Sequence, residues 1–161
     1  MYQNKDHINQ KHIVTKSSNI DISNQKSLLE VTEKISNLIN KGDNCLLFGE
    51  IGVGKTTFAK FLINHLQSKY KINATEVLSP TFNILNEYQI NEIKIYHYDL
   101  FRLKSTAEIK NLDLFEENLN VITLIEWPQI IEKKPQNLIE LIFNYEGDHN
   151  KRSVQIKGLK I

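Results

Sequence analysis

Nine consecutive residues, Gly49-Glu50-Ile51-Gly52-Val53-Gly54-Lys55-Thr56-Thr57, have the types and spacing of a phosphate-binding loop, G-x-x-x-x-G-K-[ST]. Glycine lets the backbone turn through conformations closed to other residues, so successive N–H groups point inward at phosphate oxygens. Lys55 is placed to reach the β- and γ-phosphates, and the Thr56 hydroxyl to ligate Mg²⁺. Glu50, Ile51, Gly52, Val53, Gly54, Lys55, Thr56 and Thr57 are therefore the expected nucleotide-binding residues. A chance Gly-rich turn is the competing reading, and the flanks argue against it. Cys45-Leu46-Leu47-Phe48 reads as a buried strand, and Phe58, Phe61, Leu62, Leu66 and Tyr70 recur at helical spacing. Strand, loop, helix sets an anion on a helix N-terminus.

Such a loop needs an acid to hold the metal, normally at the C-terminal end of a neighbouring strand. Glu126 ends Val121-Ile122-Thr123-Leu124-Ile125, the most hydrophobic run in the chain; Asp99 ends the β-rich run Ile93–Leu100. For either, the alternative is a strand-end carboxylate that caps the next helix. A buried parallel strand is the expected neighbour of the loop strand. Glu126 is therefore favoured for the metal and Asp99 for orienting the attacking water. Thr81 lies in a Pro-containing loop where switch segments place a threonine that senses the γ-phosphate, or it is a turn hydroxyl. His97 shares a strand face with Asp99 and either hydrogen-bonds it or is an ordinary strand histidine. Trp127 either belongs to the core or shields the site. Arg102, three residues past Asp99, is the only arginine near the presumed site, placed to touch phosphate or to pair with Glu108. The other, Arg152, falls near the C-terminal tail.

The elements that must carry these residues follow from period and punctuation. Leu28, Val31, Ile35, Leu38 and Ile39 mark one helical face over about 24–41, with Ser23 or Asn24 as N-cap and Gly42 as the stop. Asn40-Lys41-Gly42-Asp43 spells a guanine-reading N-K-x-D, but it precedes the loop instead of following far behind it and is read as a decoy. Ala74–Leu78 reads as a short strand, and the runs 82–90 and 93–100, separated by Asn91-Glu92, read as a hairpin. Ser105-Thr106-Ala107-Glu108 is a capping box opening a short helix, continued in register by Leu112, Phe115 and Leu119. Pro128 suits the first turn of another short helix closed by Pro135. Leu138–Tyr145 and Ser153–Lys157 form a terminal hairpin around Glu146-Gly147-Asp148. The expected fold is α/β: a single-domain P-loop NTPase over 23–161, with a mixed, mainly parallel sheet flanked by helices and antiparallel hairpins. Residues 1–22 are expected to be a partly ordered lead-in, with Ile13, Val14, Ile20 and Ile22 as a weak first strand; His7 and His12 read as solvated.

Length and composition bound the rest. The 161 residues are about one domain, with ordinary globular values of 40% hydrophobic and 24% charged residues. A net charge of +1 gives no nucleic-acid footprint, so any contact with RNA is expected only through a partner. Cys45 is the single cysteine, which excludes an internal disulfide or a cysteine-based zinc site and suits a reducing compartment. Met1–Asn19 is polar and lacks the apolar run of a secretory signal, and no segment approaches a membrane span. A cytoplasmic location without a membrane is expected.

Together, Gly49–Thr57, Ser79-Pro80-Thr81-Phe82, His97-x-Asp99-Leu100-Phe101-Arg102-Leu103 and Ile125-Glu126-Trp127-Pro128 resemble the TsaE (older name YjeE) family of small bacterial ATPases. The blocks cover about 42–128 in the family's order and spacing. Departures are mild: Glu50 replaces the usual Asp, Val53 an Ala, Phe101 a Tyr, and Ser27-Leu28 stands near the place of a threonine on the adenine side. The resemblance implies ATP with Mg²⁺ as cofactors, Thr56 and Glu126 as metal ligands, and Asp99 and Trp127 near the nucleotide. It implies as partners the TsaB and TsaD proteins, whose complex transfers threonylcarbamoyl to adenosine 37 of ANN-decoding tRNAs. Lys55, Thr81, Asp99 and Glu126 are the expected catalytic set, in a Mg-dependent ATPase slow alone and stimulated by its partners. Two rivals belong to other classes. A small-molecule kinase needs several arginines to clamp acceptor and phosphate, and this chain has two. A non-catalytic adaptor would use ATP only to order the switch loop.

Overall fold

Both faces of one short strand must be covered, and that requirement shapes the molecule. In β2 (Asn44–Phe48), Cys45 and Leu47 point into one hydrophobic cluster and Leu46 into another, the two-residue period of a strand buried on both sides. The structure is a computed structural model, and it describes residues 18–110, 112, 114–115 and 120–161. On the first face lie α1 (Gln25–Leu38) and α2 (Lys55–Lys69), which contribute Leu28, Val31 and Ile35 and Phe58, Leu62, Ile63 and Leu66. Burying each such side chain contributes roughly 1.5–3 kcal/mol. On the second face a smaller cluster gathers Leu46, Tyr98, Leu100, Leu114 and Ile125 beneath α3 (Thr106–Lys110) and the 3-10 turn Pro128–Ile130.

The remaining strands are β1 (Ile20–Asp21), β3 (Leu85–Ile90), β4 (Ile93–Asp99), β5 (Val121–Glu126), β6 (Leu138–Glu146) and β7 (Asp148–Lys157). They form one sheet in the order β1-β7-β6-β2-β5-β4-β3. The central four, β6, β2, β5 and β4, run parallel, and antiparallel hairpins β3–β4 and β6–β7 finish its two sides. This is the mixed α/β sheet expected from the sequence. β2 stands between β5 on one side and β6 on the other, and a crevice outside the carboxyl ends of parallel strands at such a point is where ligands bind.

Local expectations meet the structure with some shifts. Asn24 is the N-cap of α1, its side chain accepting from Ser27 N at 2.9 Å. Glu108 closes the capping box by accepting from Lys104 N at 2.8 Å and Ser105 N at 2.9 Å, and these backbone donors hold its carboxyl below the usual range. Residues 74–78 form no strand. Only Val77 of that stretch is buried, and the Gln67 side chain, not a ladder, meets the Thr75 N–H at 3.1 Å. The helix expected to run from Pro128 towards Pro135 is a single 3-10 turn. Of the register Leu112, Phe115, Leu119, the first two occupy turns, and Leu119 lies outside the described residues. So do His7, His12, Ile13 and Val14, while Ile20 and Asp21 pair with Val154 and Ser153 of β7.

Candidate functional site

The loop after β2 has no room for side chains at its start. A Cβ on Gly49 would stand 2.7 Å from the Phe143 carbonyl oxygen, and its φ of 141° is closed to other residues. Gly54, at φ 122°, is the N-cap that turns the chain into α2. The first turn of a helix has N–H groups without helical acceptors, so the loop and the start of α2 present donors to the space above them. Across this loop lies Lys55, buried, its Nζ donating to the carbonyls of Gly49 and Glu50 at 2.8 Å each. The same ammonium sits 4.0 Å from the centre of the Trp127 ring. Burial pushes its pKa down, and the Glu126 and Asp99 carboxylates pull it partly back.

Glu126 ends β5 almost wholly buried, and each of its oxygens is used. Oε2 accepts from the Thr56 hydroxyl at 2.9 Å; Oε1 lies 2.9 Å from His97 Nε2, in a pair shut off from solvent. His97 therefore meets Glu126, not Asp99 as its strand face suggested. The cause is the parallel register: His97 pairs with Leu124 and Asp99 with Glu126, so the imidazole reaches up the neighbouring strand to the next outward side chain.

Asp99 stands beside Glu126 with separate partners. Its Oδ2 accepts from Thr81 Oγ1 at 2.7 Å, and its Oδ1 from Phe101 N at 3.0 Å. Ser79 completes the chain, its hydroxyl 2.7 Å from that of Thr81. The loop that carries Thr81 closes through Ile84, whose φ of 67° is rare for a β-branched residue and marks strain at its base. Trp127 is also left-handed, at φ 57°, which swings its ring from the end of β5 over Lys55 and within 4.8 Å of the Phe101 ring.

These residues line a cleft of about 300 Å³. Ile51, Gly52, Gly54, Lys55, Thr56 and Thr57 form its floor, Ser79, Thr81, Asp99 and Phe101 one wall, and Glu126 and Trp127 its inner edge. Of the residues expected at the site, Glu50 and Val53 belong to the loop but not to this lining, and Val53 is buried in the core. Arg102 does not line it: it is exposed, with its guanidinium 5.7 Å from the Phe82 ring, and Glu108 is committed to its capping box. The arginine in the cleft is Arg152, carried in from β7. Sequence reasoning missed it and Ser79; the signal for Arg152 was the hairpin pairing that sets it opposite Tyr145. Asn40-Lys41-Gly42-Asp43 sits at the opposite end of β2 from the loop, as a turn in which Asp43 accepts from Asn40 N at 2.8 Å.

The donor set suits a small divalent cation. Among the described residues no group of three or more His, Cys, Asp or Glu side chains converges on an all-protein metal cage. One hydroxyl and one carboxylate, Thr56 and Glu126, meet beside a phosphate-sized floor, and Mg²⁺ is commonly bound by one or two protein groups together with substrate phosphates.

Comparison with known proteins adds the family. The model described as "Threonylcarbamoyl adenosine biosynthesis protein TsaE" matches residues 22–154. The tRNA threonylcarbamoyladenosine biosynthesis protein TsaE of Rickettsia conorii is 42% identical over 134 residues, 79% of this chain and 73% of that protein. Its counterpart in Rickettsia felis is 39% identical over 112 residues, 69% of this chain, and the match spans 63% of that relative's length. The crystal structure of Bacillus subtilis YdiB superposes with a TM-score of 0.67 at 25% identity, covering 88% of this chain and 85% of that one. The chain belongs to the TsaE family, whose role is in the biosynthesis of threonylcarbamoyladenosine in tRNA.

Proposed function

We propose that this protein binds ATP with Mg²⁺ in the cleft above residues 49–57 and hydrolyses it in the service of a TsaB–TsaD complex that modifies adenosine 37 of tRNA. One observation carries the reading: Thr56 and Glu126, 70 residues apart, meet at 2.9 Å at the edge of a phosphate-binding loop. Thr56 and Glu126 are the residues that would hold the metal, and Mg²⁺ bound there supplies charge neutralisation on the phosphate oxygens. Lys55 moves from the Gly49 and Glu50 carbonyls to a phosphate oxygen at little electrostatic cost, since each partner is an oxygen acceptor. His97 holds Glu126 in one orientation from below. Asp99 orients the attacking water, and Thr81, bonded to Asp99, couples the state of its loop to that acid.

The surroundings of the cleft favour a partner surface. Ile51, Leu78, Phe82 and Phe101 are large apolar side chains left exposed beside it, Phe82 by 84%. Exposed apolar groups gathered at one place mark interaction sites more often than chance. Contact with tRNA would be indirect, through the partners, in keeping with the near-neutral charge. No helix among the described residues is long and apolar enough to cross a membrane, and the protein is proposed to act in the cytoplasm.

The test is phosphate release by the purified chain alone and with the TsaB and TsaD proteins added. The reading expects a slow basal rate and a large acceleration. A protein that binds ATP and supports tRNA modification with no phosphate release would be an adaptor instead.

A further inference from the structure

Arg152 is the second arginine of the chain and the one the cleft receives. Its backbone is fastened to the segment ahead of α1: Arg152 N donates to Ser23 Oγ at 2.9 Å, and Ile22 N donates to Arg152 O at 2.9 Å. The side chain passes beside Tyr145, with the guanidinium carbon 5.7 Å from the ring. Tyr145 in turn donates its hydroxyl to the Ile51 carbonyl at 3.1 Å, which ties this hairpin to the phosphate loop. Despite this fixed approach, Arg152 Nε is buried without a hydrogen-bond partner, and no carboxylate among the described residues pairs with the guanidinium. An arginine donor withdrawn from water and left unmatched costs stability, so such a group calls for an acceptor that arrives with a ligand. The matching ligand group is a phosphate, which the planar guanidinium meets with two parallel bonds.

The sheet order says which phosphate. β5 and β4 lie to one side of β2, and they bring Glu126 and Asp99; β6 and β7 lie to the other, and they bring Tyr145 and Arg152. A polyphosphate laid along the loop with its reacting end at Thr56, Glu126 and Asp99 has its nucleoside end at Arg152. We propose that Arg152 is a binding residue for the α-phosphate of the nucleotide, not a charge supplied to the γ-phosphate during hydrolysis. This rests on the nucleotide reading above. It also leaves the reacting end without an arginine of the chain's own, in keeping with a slow ATPase that depends on its partners.

The experiment is calorimetric titration of the full chain with ADP and with a non-hydrolysable ATP analogue, each with Mg²⁺, for the native protein, Arg152→Ala, Arg152→Lys and Lys55→Ala. Arg152→Ala is expected to weaken both nucleotides by the same factor, about ten- to a hundredfold for a charge-assisted bond. Arg152→Lys should recover part of that loss, because it keeps the charge and loses the fork. The thermal midpoint without nucleotide should stay within a few degrees of native. Unchanged ADP affinity in Arg152→Ala overturns the proposal, whatever the midpoint does. A loss confined to the ATP analogue overturns the placement and puts Arg152 at the γ-phosphate. If the native protein binds neither nucleotide, the nucleotide reading fails and the proposal with it; if only Lys55→Ala fails to bind, that reading stands and Arg152 alone is refuted.

Discussion

The Thr56 hydroxyl donates to one oxygen of Glu126 at 2.9 Å while His97 Nε2 meets the other at the same distance, in a setting where Glu126 and His97 are both buried. The two bonds fix the carboxylate between the first turn of α2 and β4. Thr56 also sits in the first helical turn after the loop, so this one contact joins the phosphate floor to the end of β5. A buried acid bonded at both oxygens is fixed in orientation, which is the condition that supporting hydrogen bonds set for a carboxylate to act as a metal ligand.

Thr56→Ala is expected to leave metal-free ATP binding close to native and to raise the Mg²⁺ concentration needed for tight binding by tenfold or more. Titration of Mg²⁺ at fixed nucleotide, followed by calorimetry, checks this. Identical Mg²⁺ curves for Thr56→Ala and the native chain would remove Thr56 from the metal site.

His97→Asn tests whether the imidazole acts through Glu126. Loss of a group that orients a metal-binding carboxylate typically weakens metal affinity about 10–100-fold. The half-saturating Mg²⁺ for hydrolysis should rise by that order, while the rate at saturating Mg²⁺ falls much less. The variant also leaves space around a fully buried position, so a lower thermal midpoint is expected as well. A lower midpoint with an unmoved Mg²⁺ requirement would make His97 a packing residue only.

Lys55→Met should abolish nucleotide binding and yet unfold no lower than the native protein. Burial holds the Lys55 pKa below its ordinary 10.5, so its charged form is disfavoured by folding. The sign follows from linkage: the cost is present in full below the lowered pKa and vanishes as pH rises to the ordinary value. The stability difference between Lys55→Met and native protein should therefore favour the variant at neutral pH and shrink towards pH 10.5. Denaturant midpoints at neutral and alkaline pH measure it, and a variant destabilised at both would show that the bonds to the Gly49 and Glu50 carbonyls outweigh the buried charge.

Thr81→Ala is predicted to spare basal hydrolysis and remove most of the acceleration by partner proteins. The reason is the 2.7 Å bond from Thr81 to Asp99, which links a loop bordered by exposed Leu78 and Phe82 to an acid of the site. Completing or ordering the reacting end of a phosphate site is worth roughly 10³–10⁵ in rate in GTPases. Single-turnover hydrolysis with and without TsaB and TsaD proteins separates the two rates. Asp99→Asn should lose both. Full stimulation in Thr81→Ala would place the coupling elsewhere.

Much of this molecule is written locally. The loop 49–57, its flanking strand and helix, and the box Ser105–Glu108 depend on residues a few positions apart, whose backbone geometry is set by glycine freedom, side-chain period and capping bonds. The placing of Glu126 at the end of an apolar run was legible for the same reason. Ala74–Leu78 shows the limit of that logic: it makes no ladder with the sheet, and its Thr75 N–H goes to the Gln67 side chain instead. Only the tertiary structure decided that His97 serves Glu126, since this depends on the register in which β4 and β5 align, a relation between segments 29 residues apart. It also replaced Arg102, three residues from Asp99, with Arg152, which the β6–β7 hairpin folds back across the sheet to the loop. Short-range spacing specifies which groups exist and which way they face. Which of them meet is decided by strand order and register, which are set by burying both faces of β2 at once.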